Sequence, residues 1–269
     1  RIMIHGMLRM TRIISDLEGK EFTGIDDFSL KSLVAFRSLE GSILNSDSTS
    51  HPDRSLIAVW RIISVIDWVD GLVKLVEYNR PRASITVHDK ACLVSSSFIQ
   101  LSLLNELSII TTRTRMNELG TIKDLIDKLG LDGSLNDLLR RLTCDTLVPL
   151  RHAALTTTDL LLLKAIIVFN PDCCGLLSMA VYRLREIRSR LFDLLFTSVC
   201  KSRPASSLSP ASNYGHAMAI LAPITHIAGD ISSQLKNNFR RPFMSSIVPY
   251  ANLRTDLFNP EIHDIFLDA

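Results

Sequence analysis

Residues 160–169 read LLLLKAIIVF, nine apolar positions in ten, interrupted by Lys164 and stopped by Asn170-Pro171-Asp172. Such a run has almost no polar face. A bilayer-spanning helix needs about twenty mostly apolar residues, so a stretch this short with a lysine in its middle is expected inside a protein, in the middle layer of stacked helices. Asn170 precedes a proline, is biased away from α geometry, and ends the helix. Thr156, Thr157 and Thr158 are N-cap candidates at its start, and Asp159 favours the positive end of the helix dipole.

The rest of the pattern is helical segments joined by short breaks. Residues 56–78 carry Ile57, Trp60, Ile63, Ile66, Leu72, Val73 and Val76 at helical spacing and stop at Asn79-Arg80-Pro81-Arg82. Residues 85–107 predict a second long helix, mostly apolar beyond Leu93; residues 135–155 predict a third, with a basic face at Arg140 and Arg141 and a kink at Pro149. A charged stripe beside an apolar one over 176–200 predicts a surface helix, and 214–238 predict another despite Pro223. Residues 201–213 read as a Ser/Pro linker, and 40–55 are the other weak stretch. No repeat period appears, which argues against a solenoid.

Composition sharpens this to an all-α protein. Eleven glycines in 269 residues and 6% aromatics lean away from a turn-rich β fold, and the length suits one large domain. Thirty basic against twenty-eight acidic residues leave +2, so no electrostatic footprint for nucleic acid or an anionic membrane is present. The five cysteines, Cys92, Cys144, Cys173, Cys174 and Cys200, include no C-x-x-C; they predict reduced thiols acting as small hydrophobes in an intracellular compartment. The first residues, RIMIHGMLRMTR, lack the continuous apolar core of a signal peptide, so secretion is not expected. Seven dispersed histidines, with no G-x-S-x-G, H-E-x-x-H or phosphate-cradling glycine loop, argue against an enzyme and against a metal site.

Three pieces, in order, carry a resemblance. Asp159-x-x-x-Leu163-Lys164-Ala165-Ile166, running into Phe169-Asn170-Pro171-Asp172 and Gly175-Leu176, resembles the eighth helix and following loop of a nuclear receptor ligand-binding domain, closest to the retinoid X receptor and its orphan relatives. Residues 138–155 stand where the seventh helix would, without a gap. Ile85-x-x-x-Asp89-Lys90-x-x-Leu93-Val94-x-x-x-Phe98 is similar to the family signature, with Lys90 in place of the usual Gln and Arg82 in place of an aromatic. The resemblance covers most of the chain from about residue 56. It implies a three-layer antiparallel helical sandwich, with N-terminal helices and a loop of the same domain over 1–55, the core over 56–258, and a tail over 259–269.

It also implies a function. Such a domain takes a small lipophilic ligand, and a C-terminal helix completes a groove for a coregulator's LxxLL helix. By carry-over, the groove would be formed by Val73, Lys74, Glu77, Lys90 and Val94, with Asp256 as the acid of the C-terminal helix; residues 262–266, IHDIF, are the second candidate for that helix. Glu77 falls where the family places a lysine, and Lys74, one turn earlier, is the nearest alternative cation. The ligand pocket would be lined by Arg61, Ser64, Val65 and Trp68 on one helix and Ile99, Ser102, Glu106 and Ile109 on the next. Ile109 stands where acid-binding members have an arginine, Trp68 fills volume, and a buried Glu106 needs a partner, so the pocket is expected to be small or filled. The apolar stripe Ile220, Ile224, Ile227 and Ile231, with Ala219, Ala222 and Ala228 near it, would be a dimer helix for a second copy or a related receptor, with Ile227 facing outwards. LxxLL-type coregulators, bound weakly, or corepressors are the expected partners, and the nucleus the expected compartment. No cofactor beyond a lipophilic ligand is implied, and DNA contact would need a zinc-finger domain absent from this chain. The LxxLL strings over 135–139 and 191–195 are expected to be core packing. The rival reading is an all-α interaction scaffold, which an elongated shape would favour.

Overall fold

A computed structural model of the chain describes residues 7, 54–77, 85–112, 135–201 and 209–239. Among these, every regular element is helical: α1 (Arg54–Glu77), α2 (Val87–Thr112), α3 (Leu135–Arg140), a π-helix (Arg141–Leu147), α4 (Val148–Ala153), α5 (Thr157–Val168), α6 (Ser178–Lys201), α7 (Pro210–Ala219) and α8 (Leu221–Phe239). The all-α expectation holds for them. Nearly all of the N-terminal region 1–55, the linker residues 202–208, and the C-terminal segments containing Asp256 and 262–266 lie outside the described residues.

The apolar run is α5. Thr156 and Asp159 open it by a reciprocal exchange: the Asp159 N–H donates to Thr156 Oγ1 at 3.2 Å, and the carboxylate accepts from the Thr156 N–H at 2.9 Å and its hydroxyl at 2.7 Å. Two backbone donors at the helix start are thus satisfied. Leu161, Leu162, Leu163, Ala165, Ile166 and Val168 are at most 2% exposed, and burial of each Leu or Ile side chain contributes roughly 2 kcal/mol. In α5, Thr157 is exposed and Thr158, Leu160 and Lys164 reach water in part.

The 135–155 segment departs from the single kinked helix that its periodicity predicts. Pro149 has no N–H for the Asp145 carbonyl, and its ring pushes against that oxygen. The wide π turn just before it takes up the mismatch, and Pro149 becomes a first-turn residue of the short α4. Ala154, at φ 40°, then ends α4 in the left-handed region. The predicted helix 214–238 also divides: Pro223 cannot bond back to Ala219, so the chain breaks at Ile220 and restarts with Ile224 N–H donating to Ile220 O at 3.2 Å. Residues 210–213, read as linker, are helical instead, because the Ser209 hydroxyl accepts from the Ser212 N–H at 3.2 Å and Pro210 suits the first position.

The chain forms two compact units. Among the described residues, one contains 54–77, 85–98 and 168–188; its buried apolar residues include Ile66, Val69, Leu72, Leu93, Val94, Phe169 and Leu184, all at most 1% exposed. The other contains 99–112, 135–167, 189–201 and 209–239, with Leu104, Leu107, Leu142, Leu147, Leu191, Leu195 and Ile224 buried to the same degree. Burial of Leu191 and Leu195 removes the second LxxLL string as a docking peptide. Between Val87 and Thr111, α2 is long and apolar enough to cross a bilayer by length and composition, but 56% of its most apolar window is buried inside the protein, as in a core helix.

Candidate functional site

The first unit brings the C-terminal half of α1 beside the start of α2. Thr86 and Asp89 open α2 as Thr156 and Asp159 open α5. The Asp89 N–H donates to Thr86 Oγ1 at 3.1 Å, and Asp89 Oδ2 accepts from the Thr86 N–H at 3.0 Å and its hydroxyl at 2.6 Å. The other oxygen, Oδ1, accepts from the Leu177 N–H at 3.0 Å. Asp89 therefore both caps α2 and pins the loop that follows α5. His88 adds a second tie, Nε2 to Gly175 O at 2.9 Å. Gly175 holds φ +83° there, which strains any other residue, and an added Cβ would press on Cys92 Sγ at 3.1 Å. From the other side of the loop, Arg188 donates to Asn170 Oδ1 at 2.8 Å. Burial lowers the Arg188 pKa, with the nearby Asp172 carboxylate opposing.

Lys90, the departure from the family's glutamine, is nearly buried, and its ammonium lies 2.5 Å from Asp70 Oδ1. Lys74 holds the other oxygen of the same carboxylate at 2.7 Å, with its own side chain 55% exposed. Glu77 is turned back into the α1–α2 connection, where its Oε1 accepts from the Ile85 N–H at 2.6 Å. Of the expected groove residues, Lys74 is thus an exposed cation and Glu77 a committed acceptor. Lys90 is corrected from a groove residue to the buried partner of Asp70, since an ammonium removed from water needs a counter-charge. Val73 and Val94, both 0% exposed, are core positions and not an open groove wall. Asp256 lies outside the described residues.

The expected pocket residues fall on α1 and α2. Arg61 and Ser64 are on α1, their side chains outside the described set, while Val65 and Trp68 are buried at 8% and 7% exposure. On α2, Ile99 is buried and Ser102 and Glu106 are half-buried. Ile109 is 44% exposed and is corrected from a pocket position to a surface one. On α8 the stripe is turned inwards: Ile220, Ile224, Ile227 and Ile231 are 0–1% exposed. Ile227 is therefore not an outward dimer contact. The spacing i, i+3, i+7 presents one face, and that face is already packed within this chain. Ala222, Thr225, His226, Gly229 and Ser233 form the exposed face instead.

Sequence reasoning missed Asp70. The signal was a pair of misplaced charges, an acid within an apolar helix and a lysine in a glutamine position, each of which explains the other. It also named Asp89 only through the resemblance, although Thr86-x-x-Asp89 is a capping-box pattern in its own right.

Similarity to known proteins agrees with this architecture. No family model matches the chain. The chain is 27% identical over 252 residues to nuclear hormone receptor family member nhr-7 of Caenorhabditis elegans, across 91% of this chain and 46% of that protein. To nhr-31 of the same organism it is 28% identical over 188 residues, 67% of this chain and 31% of that protein. The chain thus spans less than half the length of these curated relatives. In fold it is similar to the Ultraspiracle ligand-binding domain of Drosophila melanogaster, with a TM-score of 0.54, 16% identity, and coverage of 93% of this chain and 94% of that one.

Proposed function

Because this chain belongs to the nuclear receptors and has the fold of their ligand-binding domain, we propose that it is the regulatory module of a nuclear transcription factor whose α1–α2 edge receives a coregulator's LxxLL helix through Lys74. The family is one of transcription factors and not of enzymes, so binding is the activity to explain. Dimerisation and coregulator binding are the general partner classes that accompany the family.

The observation that carries the finer reading is the division of labour among three charges. Lys90 is buried against Asp70 and Glu77 is engaged by the Ile85 N–H, whereas the Lys74 ammonium, paired with the other Asp70 oxygen at 2.7 Å, belongs to a side chain 55% exposed at the same edge. The last carbonyls of a docked helix carry partial negative charge, and a lysine there caps them. Glu77 would repel the same carbonyls less than a free carboxylate, since its charge is shared with a backbone donor. Asp256 is the acid we assign to the peptide's other end, and a small or filled pocket around Trp68 remains the ligand reading, with neutral lipids favoured over acids.

A fluorescence titration of an LxxLL peptide tests the edge. Lys74→Ala is expected to weaken binding by up to about five-fold, the range of an exposed helix-terminus interaction. Unchanged affinity would rule out Lys74 as the cap.

A further inference from the structure

Three of the five cysteines gather with His88 where α2 meets the loop 169–177, although Cys92 and Cys173 are 81 residues apart in sequence. We propose that Cys92 and Cys173 are a reversible oxidation site, at which a hydroperoxide converts two thiols into a disulfide that joins α2 to this loop. The geometry gives the two sulfurs different roles. Cys173 Sγ donates to the Cys92 carbonyl at 3.2 Å, so it reaches residue 92 as a protonated thiol. Cys92 Sγ lies 3.8 Å from His88 Nε2, whose 2.9 Å partner is the Gly175 carbonyl. A carbonyl only accepts, so the Nε2 hydrogen is directed at Gly175 O, and the Cys92 sulfur lies beside the same N–H as a second, longer acceptor.

Burial pushes the Cys173 thiol up, with the Ser96 hydroxyl opposing and the Cys92 charge adding to the rise. Cys173 is therefore the thiol that keeps its proton. Both are half-buried and Cys174 beside them is exposed, so a small oxidant has access.

The chemistry balances in two steps. The Cys92 thiolate attacks the terminal oxygen of the hydroperoxide, the O–O bond breaks, and an alcohol or water leaves with a proton, giving the sulfenic acid. The Cys173 sulfur then attacks the Cys92 sulfur, the S–O bond breaks, and water departs with the proton the thiol releases. Two electrons pass from the thiols to the peroxide, and a dithiol returns them. The Cys173 sulfur already touches the backbone of residue 92, so closure calls for side-chain rotation.

The test treats the reduced chain with low multiples of hydrogen peroxide, blocks remaining thiols with N-ethylmaleimide, and maps unreduced peptides by mass spectrometry. A Cys92–Cys173 linked pair, two hydrogens lighter than its components and lost on dithiothreitol treatment, is expected in the wild type and in Cys174→Ser. His88→Ala is expected to slow its formation roughly three-fold or more. A Cys173–Cys174 link in its place, or recovery of Cys92 and Cys173 both alkylated when the exposed Cys144 is oxidised, overturns the proposal. The wild-type map decides this whether or not a variant folds.

Discussion

Lys164 is largely buried on α5 with no ion pair among the described residues to offset that burial, and its pKa is lowered by the desolvation from the ordinary lysine value of 10.5. Between the lowered folded value and 10.5 the unfolded chain binds more protons than the folded one, so stability rises with pH across that window. At neutral pH the charge is therefore a cost. Lys164→Met is expected to stabilise the fold by about 1 kcal/mol near pH 7, with the advantage shrinking as pH approaches 10.5; urea unfolding at pH 7 and pH 10 measures it. Lys90 shows the opposite case, a buried ammonium held by Asp70. In sequence both were simply lysines at unusual places. What separates them is a carboxylate on another helix, which hydrophobic periodicity cannot report.

At the scale of elements, existence and type of the long helices were legible from spacing, and α1, α2, α5 and α6 lie within a few residues of their expected bounds. Boundaries set by proline were not. A missing N–H at Pro149 or Pro223 changes the backbone hydrogen bonds three or four residues upstream, while the apolar spacing on either side continues unbroken. Nor does an apolar stripe say which side covers it, and α8 buries its isoleucines internally. Ile227→Glu is accordingly expected to destabilise the chain by about 4 kcal/mol or more. His226→Glu, one residue earlier and exposed, is expected to keep the fold. Circular-dichroism melts separate the two, and an unshifted melt for Ile227→Glu would return that residue to the surface.

For the whole molecule, the fold was legible chiefly because three separated pieces fell in family order; composition alone stopped at an all-α protein. For the candidate site, the carry-over pointed to the α1–α2 edge and left open which charges there are already paired, because Lys90 and its partner Asp70 stand on different helices. One local irregularity bears on how this chain can vary in length. A seven-residue π-helix is an α-helix holding one residue more than its turns need, so the flanking segments keep the facing they would have without it. Losing one residue inside an ordinary helix swings everything beyond it by roughly 100° and buries the wrong side chains. Deleting Cys144, exposed within the π turn, should instead remove the extra residue and keep Leu138 and Leu150 inward, at the cost of the strain that Pro149 then places on a tighter turn. Deleting Arg190 from α6 should abolish soluble expression, while the Cys144 deletion should retain a cooperative melt. Evolutionary loss of a single codon would then be tolerated at 141–147 and purged within α6.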